Sequence, residues 1–161
     1  MPTSDIEIPP LPVETTRAKE PVRQLSVFLH NRVGALLSLV KILNDHDIEV
    51  LGLSVQDSVE LTLVRAVVTD PDQARSIFEA EGHSCASKPI IVVELKEGVH
   101  DLAHALSGLL AAEINIHHAY PLMTRPNGKP LLALYVDDYE IGEESLTKIG
   151  FKVLTQGDLS R

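Results

Sequence analysis

Residues 29–55 read LHNRVGALLSLVKILNDHDIEVLGLSV, and the way this stretch folds decides how the whole chain folds. Just before and into it, Leu25, Val27 and Leu29 fall on every second position, the period of a half-buried strand. Val33, Leu36, Leu37, Val40 and Leu43 then recur at spacings of three and four, which places them on one face of a helix. IEVLGLSV (48–55) returns to a strand pattern. Asn31 and Gly34 stand where strand passes into helix, and two readings are open for them. Asn31 caps the helix and Gly34 eases helix–sheet packing. Alternatively the loop is a ligand site. Glycine lets a ligand approach the backbone, the amides of a helix N-terminus suit a carboxylate, and an asparagine side chain meets either end of an amino acid.

Working outward, ELTLVRAVV (60–68) reads as a strand paired with 48–55 across a short turn at Gln56–Val59. PDQARSIFEAEG (71–82) is punctuated as a helix, with Pro71 at its start and Gly82 past its end. HSCASKP (83–89) reads as a short closing strand. The order β-α-β-β-α-β then starts again. IIVVEL (90–95) is a strand, and Val99, Leu102, Ala103, Leu106, Leu109 and Leu110 mark a helix. INIHHAYPLM and PLLALYV are strands around RPNGK, where Asn127-Gly128 predicts a tight hairpin turn with both residues at positive φ. YEIGEESLTKIG (139–150) is a weakly written helix and FKVLTQ (151–156) a closing strand. Over residues 27–50 the halves align without a gap at an offset of 66, so that Val27, Leu29, Val33, Leu36, Leu43 and Ile48 match Val93, Leu95, Val99, Leu102, Leu109 and Ile114.

The expected fold is α+β: two ferredoxin-like βαββαβ repeats, residues 25–88 and 89–161, packed side by side as one antiparallel sheet with helices on one face. Residues 1–24 hold Pro2, Pro9, Pro10, Pro12 and Pro21 of the ten prolines and read as an extended arm.

Composition narrows the function. A formal charge of −9 and 4 % aromatic residues argue against nucleic acid, which needs basic patches and stacking rings, and against anionic membrane surfaces. Cys85 is the lone cysteine, so neither an intrachain disulfide nor a paired-cysteine metal site can form. The N-terminal sequence lacks the pattern of a secretory signal and no apolar run is long enough to span a bilayer, so a cytoplasmic location is expected. His100 and His104 have zinc-compatible spacing but no evident third ligand, while His117 and His118, adjacent in a strand, are expected on opposite faces. Cys85 reads as a partly buried small residue, and the acids of 136–144 as a solvated surface. No catalytic constellation is present, and no cofactor is implied.

The stretch 29–55, with its polar residue, Gly-Ala-Leu, helix and following strand, resembles the ACT domain family, and the likeness extends over about 25–156 as two repeats. The first repeat is similar to the start of the regulatory small subunit of acetolactate synthase. The resemblance implies a non-catalytic regulatory protein that binds a small amino acid, branched-chain or otherwise aliphatic. The regulated target would be a partner enzyme of amino-acid metabolism, acetolactate synthase among the candidates, or the protein's own assembly, with a homodimer as the expected unit. A partner subunit without ligand binding is the alternative. Side-by-side ACT units place the ligand between the loop of one and the second strand of the other. The loop pattern survives in repeat one, where Asn31 and Gly34 align with Glu97 and His100. The strand pair Asn115-Ile116 survives in repeat two, opposite Glu49-Val50. One composite site is therefore expected, from Asn31, Arg32, Val33, Gly34, Ala35 and Leu36 with Asn115 and Ile116. The pseudo-symmetric site, Glu97 to His100 with Glu49, is expected to be impaired, its carboxylates repelling a ligand carboxylate yet suiting an ammonium.

Overall fold

The computed structural model describes residues 20–30 and 32–160. Asn31 and most of the proline-rich arm, residues 1–19, lie outside the described residues. The elements run β1 (Val22–His30), α1 (Ala35–Asp45), β2 (Val50–Asp57), β3 (Leu61–Val68), α2 (Pro71–Ala80), β4 (Cys85–Glu94), a 3-10 turn (Gly98–His100), α3 (Asp101–Ala111), β5 (Ile116–Pro121), β6 (Leu131–Val136), α4 (Tyr139–Lys148), β7 (Lys152–Val153) and α5 (Gln156–Leu159). The βαββαβ order appears twice, and the two units share a strand. HSCASKP and IIVVEL are not separate: β4 runs through both, pairing with β1 over Cys85–Ile90 and with β6 over Ile91–Glu94. The antiparallel sheet has the order β2-β3-β1-β4-β6-β5, with β7 on β4.

Alternation sorts each strand between two faces. Leu25, Val27 and Leu29 of β1 pack with Leu39 and Leu43 of α1 and Phe78 of α2. Ile91 and Val93 of β4 pack with Ala105 and Leu109 of α3 and Leu146 of α4. The other face is not left flat to solvent. The sheet curls so that Val22, Leu51, Val67, Ile90, Val92, Tyr120, Leu122 and Leu131 form a third core drawn from both repeats. The outermost strands meet at one place, where the Met123 N–H donates to the Leu51 carbonyl at 2.6 Å. At the same place a Cβ on Gly52 would run into the Leu122 side chain, so glycine is what lets the two strands approach.

The helices correct the expected core. α1 begins at Ala35, so Val33 sits outside it and is fully exposed, and Leu37 is also exposed. The buried residues are Leu39 and Leu43. In α3 the buried pair is Ala105 and Leu109, whereas Leu102, Leu106 and Leu110 face outward. Both helices are apolar on more than one face, and periodicity alone does not tell which face meets the sheet. The turn at Asn127-Gly128 also differs. β5 and β6 are joined by residues 122–130, and among its described residues only Gly128 has positive φ, 72°, with its N–H bonded to the Arg125 carbonyl at 2.9 Å. FKVLTQ holds only a two-residue strand, after which Thr155 and Asp158 form a capping box that starts α5.

Candidate functional site

Loop 32–34 projects from the end of β1. Arg32, Val33 and Gly34 are exposed, while Ala35 and Leu36 pack against the first core. Gly34 is the N-cap of α1 at φ 86°, with no side-chain cap. Nothing lies within 4 Å of where its Cβ would be. Its glycine is therefore required by the left-handed backbone and not by helix–sheet packing. In repeat two the glycine moves two residues earlier in register, to Gly98 at φ 73°. The Glu97 N–H there is met by the Asp101 carboxylate at 2.8 Å.

Asn115 and Ile116 stand at the start of β5. Asn115 is held by Asp137: its backbone N–H donates to Oδ1 at 3.3 Å, and its Nδ2 to Oδ2 at 3.2 Å. Ile116 packs in the core of repeat two. No hydrogen bond or shared core among the described residues joins this pair to loop 32–36.

What the structure does bring together is repeat one's counterpart of Asn115 with the far end of repeat two. Glu49 opens β2, its N–H donating to Thr69 Oγ1 at 3.0 Å. Beside it lie two adjoining clefts that flank the Leu51–Met123 contact. One, of about 500 Å³, is walled by Val40, Val50, Leu51, Leu53 and Met123 and reaches Asn44, Glu49 and Thr124. The other, of about 430 Å³, shares Glu49, Leu51 and Thr124 and adds Lys152, Asn127 and Asp158. Asp158 is occupied in the α5 cap, at 2.9 Å from the Thr155 N–H, and the Asn127 amide donates to Glu94 at 2.9 Å. The Glu49 carboxylate and the Lys152 ammonium have no such partner among the described residues. An apolar compartment thus adjoins one with a free anion and a free cation, the complement of an aliphatic amino acid. The repeat offset pointed to Glu49; nothing in the local sequence pointed to Thr124 or Lys152.

The remaining candidates have local explanations. His104 packs at a tilt against Phe151, with ring centroids 5.1 Å apart. The described residues contain no cluster of three or more potential metal ligands. A bulge at His117, between the pairs Ile116–Val136 and His118–Tyr135, breaks the expected alternation. Both histidine rings consequently approach Tyr135, at 5.4 and 5.0 Å. Cys85 is partly buried, and burial pushes its thiol up to about 11, away from the reactive thiolate. None of the described helices is long and apolar enough to cross a membrane.

Three solved structures share the architecture. Protein BT0572 from Bacteroides thetaiotaomicron is 21 % identical, with a TM-score of 0.79 over 88 % of this chain and 96 % of its own. The ligand-free regulatory subunit of aspartate kinase from Thermus thermophilus is 14 % identical, with a TM-score of 0.56 over 82 % of this chain and 93 % of its own. That of Thermus flavus is 12 % identical, with a TM-score of 0.52 over 80 % and 93 %. At these identities the likeness is one of fold. No curated protein matches the sequence. The ACT domain pair profile matches residues 20–161, the whole of the two repeats and the strand they share, and the chain belongs to that family.

Proposed function

We propose that the protein is a non-catalytic regulatory module that binds a small aliphatic amino acid in the paired clefts between its repeats. The observation that carries this reading is a cleft lined by both Glu49 of repeat one and Lys152 of repeat two, adjoining an apolar cleft. Glu49 takes the ammonium, Lys152 the carboxylate, and Val40, Val50 and Leu53 the side chain. Membership of a family of regulatory modules supports it. The ligand would touch both repeats, so it would favour one placement of β2 against the 123–127 loop, and it regulates through its unequal affinity for the two placements. The output is a partner enzyme of amino-acid metabolism, acetolactate synthase included, or assembly of the protein through its open sheet edges as a homodimer.

A second reading keeps Asn31, Arg32, Val33, Gly34, Ala35 and Leu36 as the ligand loop, completed by Asn115 and Ile116. The exposed, uncapped helix N-terminus at Gly34, held at φ 86°, favours it. Calorimetric titration with the aliphatic amino acids separates the two. The cleft reading expects affinity to fall about tenfold or more in Glu49→Gln and in Lys152→Gln, the worth of a hydrogen bond to a charged group, and to survive in Gly34→Ala. Loss in Gly34→Ala alone places the ligand at the loop. Absence of binding by any of them contradicts both and leaves the structural subunit.

A further inference from the structure

The concave face of the curled sheet carries a second polar site, independent of the clefts. Cross-strand neighbours share a face, so the pairs Gln24–Lys88, Ser26–Arg65, Phe28–Leu63 and His118–Tyr135 fix which side chains point inward. Toward one end this face is the shared apolar core. At mid-height it becomes polar. Gln24 is 2 % exposed, and its Oε1 accepts from the Tyr120 hydroxyl at 2.6 Å and from His118 Nε2 at 3.1 Å. With its oxygen doubly engaged, the Gln24 carboxamide is left with only N–H groups to offer.

Around it the charge is one-sided. The Lys88 ammonium lies over the Tyr135 ring, 5.6 Å from its centroid. Arg65 stands across β1 from it, its Nη1 donating to Gln56 Oε1 at 3.3 Å. Neither has an ion-pair partner among the described residues. The field is felt locally, since burial first and Arg65 second lower His118 to about 4, leaving the imidazole neutral near pH 7. Taking the inward positions of β1 to β6 in turn, the one acid is Glu94. It is buried, bonded to Asn127, and six residues from Lys88 along β4, about 20 Å at 3.3 Å per residue. Asp137, just past β6, is held by Asn115. In a chain of formal charge −9, a concave surface with two cations that have no ion-pair partner among the described residues is a concentrated positive site. Beyond it Phe28, 46 % exposed, and Leu63 supply an apolar wall.

We propose that this cradle binds an organic carboxylate that carries no ammonium group, its carboxylate between Arg65 and Lys88 and its apolar body against Phe28. No carboxylate among the described residues pairs with Arg65 or Lys88, so the ammonium of an amino acid would face two cations. The site also spans the repeats, because Gln24 and Arg65 come from the first and His118 and Tyr135 from the second, so its occupant bears on the same contact as a ligand in the clefts.

The test uses 3-phenylpropanoate, phenylalanine and inorganic phosphate as probes, with the His118 and Tyr135 ring signals followed by NMR at low ionic strength. The expected result is a saturable shift with 3-phenylpropanoate and affinity about fivefold or more lower in Arg65→Gln and in Lys88→Gln. Phenylalanine binds more weakly, and Glu49→Gln has no effect. Lys88 is exposed, so Lys88→Gln keeps the test valid even if Arg65→Gln folds poorly. Binding unchanged in Lys88→Gln, equal binding of phenylalanine, or the same saturable shift with phosphate overturns the proposal. Because Glu49→Gln is read in parallel, failure here and failure of the cleft reading are distinguishable.

Discussion

The two repeats match in the devices that make the fold and differ in the loop after the first strand and in the middle of the second strand. Asp47 and Glu113, 66 residues apart, both take positive φ, 57° and 58°, and end their helices in the same way. Leu51 and His117, at the same offset, are both the bulged residue of their second strand. Glu49 is latched to Thr69 where Asn115 is latched to Asp137. Asp70 and Asp138 each accept from the N–H three residues on and cap α2 and α4. Against this regularity, Gly34 has His100 as its counterpart, and the pair Gly52 and Leu53 has His118 and Ala119. The repeats share the turns and bulges, whose geometry few residues satisfy. At Gly34 and Gly52 the geometric requirement belongs to repeat one alone, and there the repeats are two halves of one asymmetric molecule.

The strongest way to break this comparison is to cut matched core positions. Leu43 and Leu109 are equivalent and fully buried. Leu43→Ala and Leu109→Ala should each cost about 2–5 kcal/mol. Because β4 belongs to both repeats, each substitution should lower the one cooperative transition of the whole chain; two separate calorimetric transitions would show that the repeats fold independently. Next in size is the loop. Gly34→Ala places a Cβ at φ 86° and should destabilise by about 1 kcal/mol, whereas His100→Ala, in a helical backbone conformation, should change urea-midpoint stability little. Asp70→Ala and Asp138→Ala should each cost about 1 kcal/mol, and equal losses in thermal melts would confirm that the two caps are one device used twice.

The smallest effect concerns His118, which has no counterpart at Gly52. Its folded value of about 4 lies below the ordinary histidine value of 6.5, so the unfolded chain binds more protons between the two. Stability therefore falls as pH drops from about 6.5 toward 4. His118→Gln should flatten that part of the Tm–pH curve, after subtraction of the other groups' common slope. An unchanged curve would mean that His118 titrates freely.

Much of the fold was legible because it is local. Pro71, Gly82 and the alternation of Leu25, Val27 and Leu29 carry their own geometry. What the sequence did not disclose depends on tertiary choice. α1 and α3 are apolar on several faces, and only the sheet decides that Leu109 is buried and Leu110 exposed. The curl that makes Val22 and Tyr120 neighbours follows from strands far apart in sequence. The clefts were half legible: the offset of 66 marked Glu49 as the partner of Asn115, but Lys152 and Thr124 reach Glu49 only through the curl. The polar cradle was hidden for the same reason, and the bulge at His117 removed the one alternation rule that applied to its histidines.

The most direct test of an amino-acid regulator is thermal unfolding of the whole chain against each of the twenty amino acids. A ligand at 100 times its dissociation constant adds about 2.7 kcal/mol, a rise of about 5–11 °C for a domain of this size. The expected result is a rise confined to one or a few aliphatic amino acids and cut by about half or more in Glu49→Gln, whose affinity is about tenfold lower. A panel in which no amino acid at millimolar concentration raises Tm would contradict it.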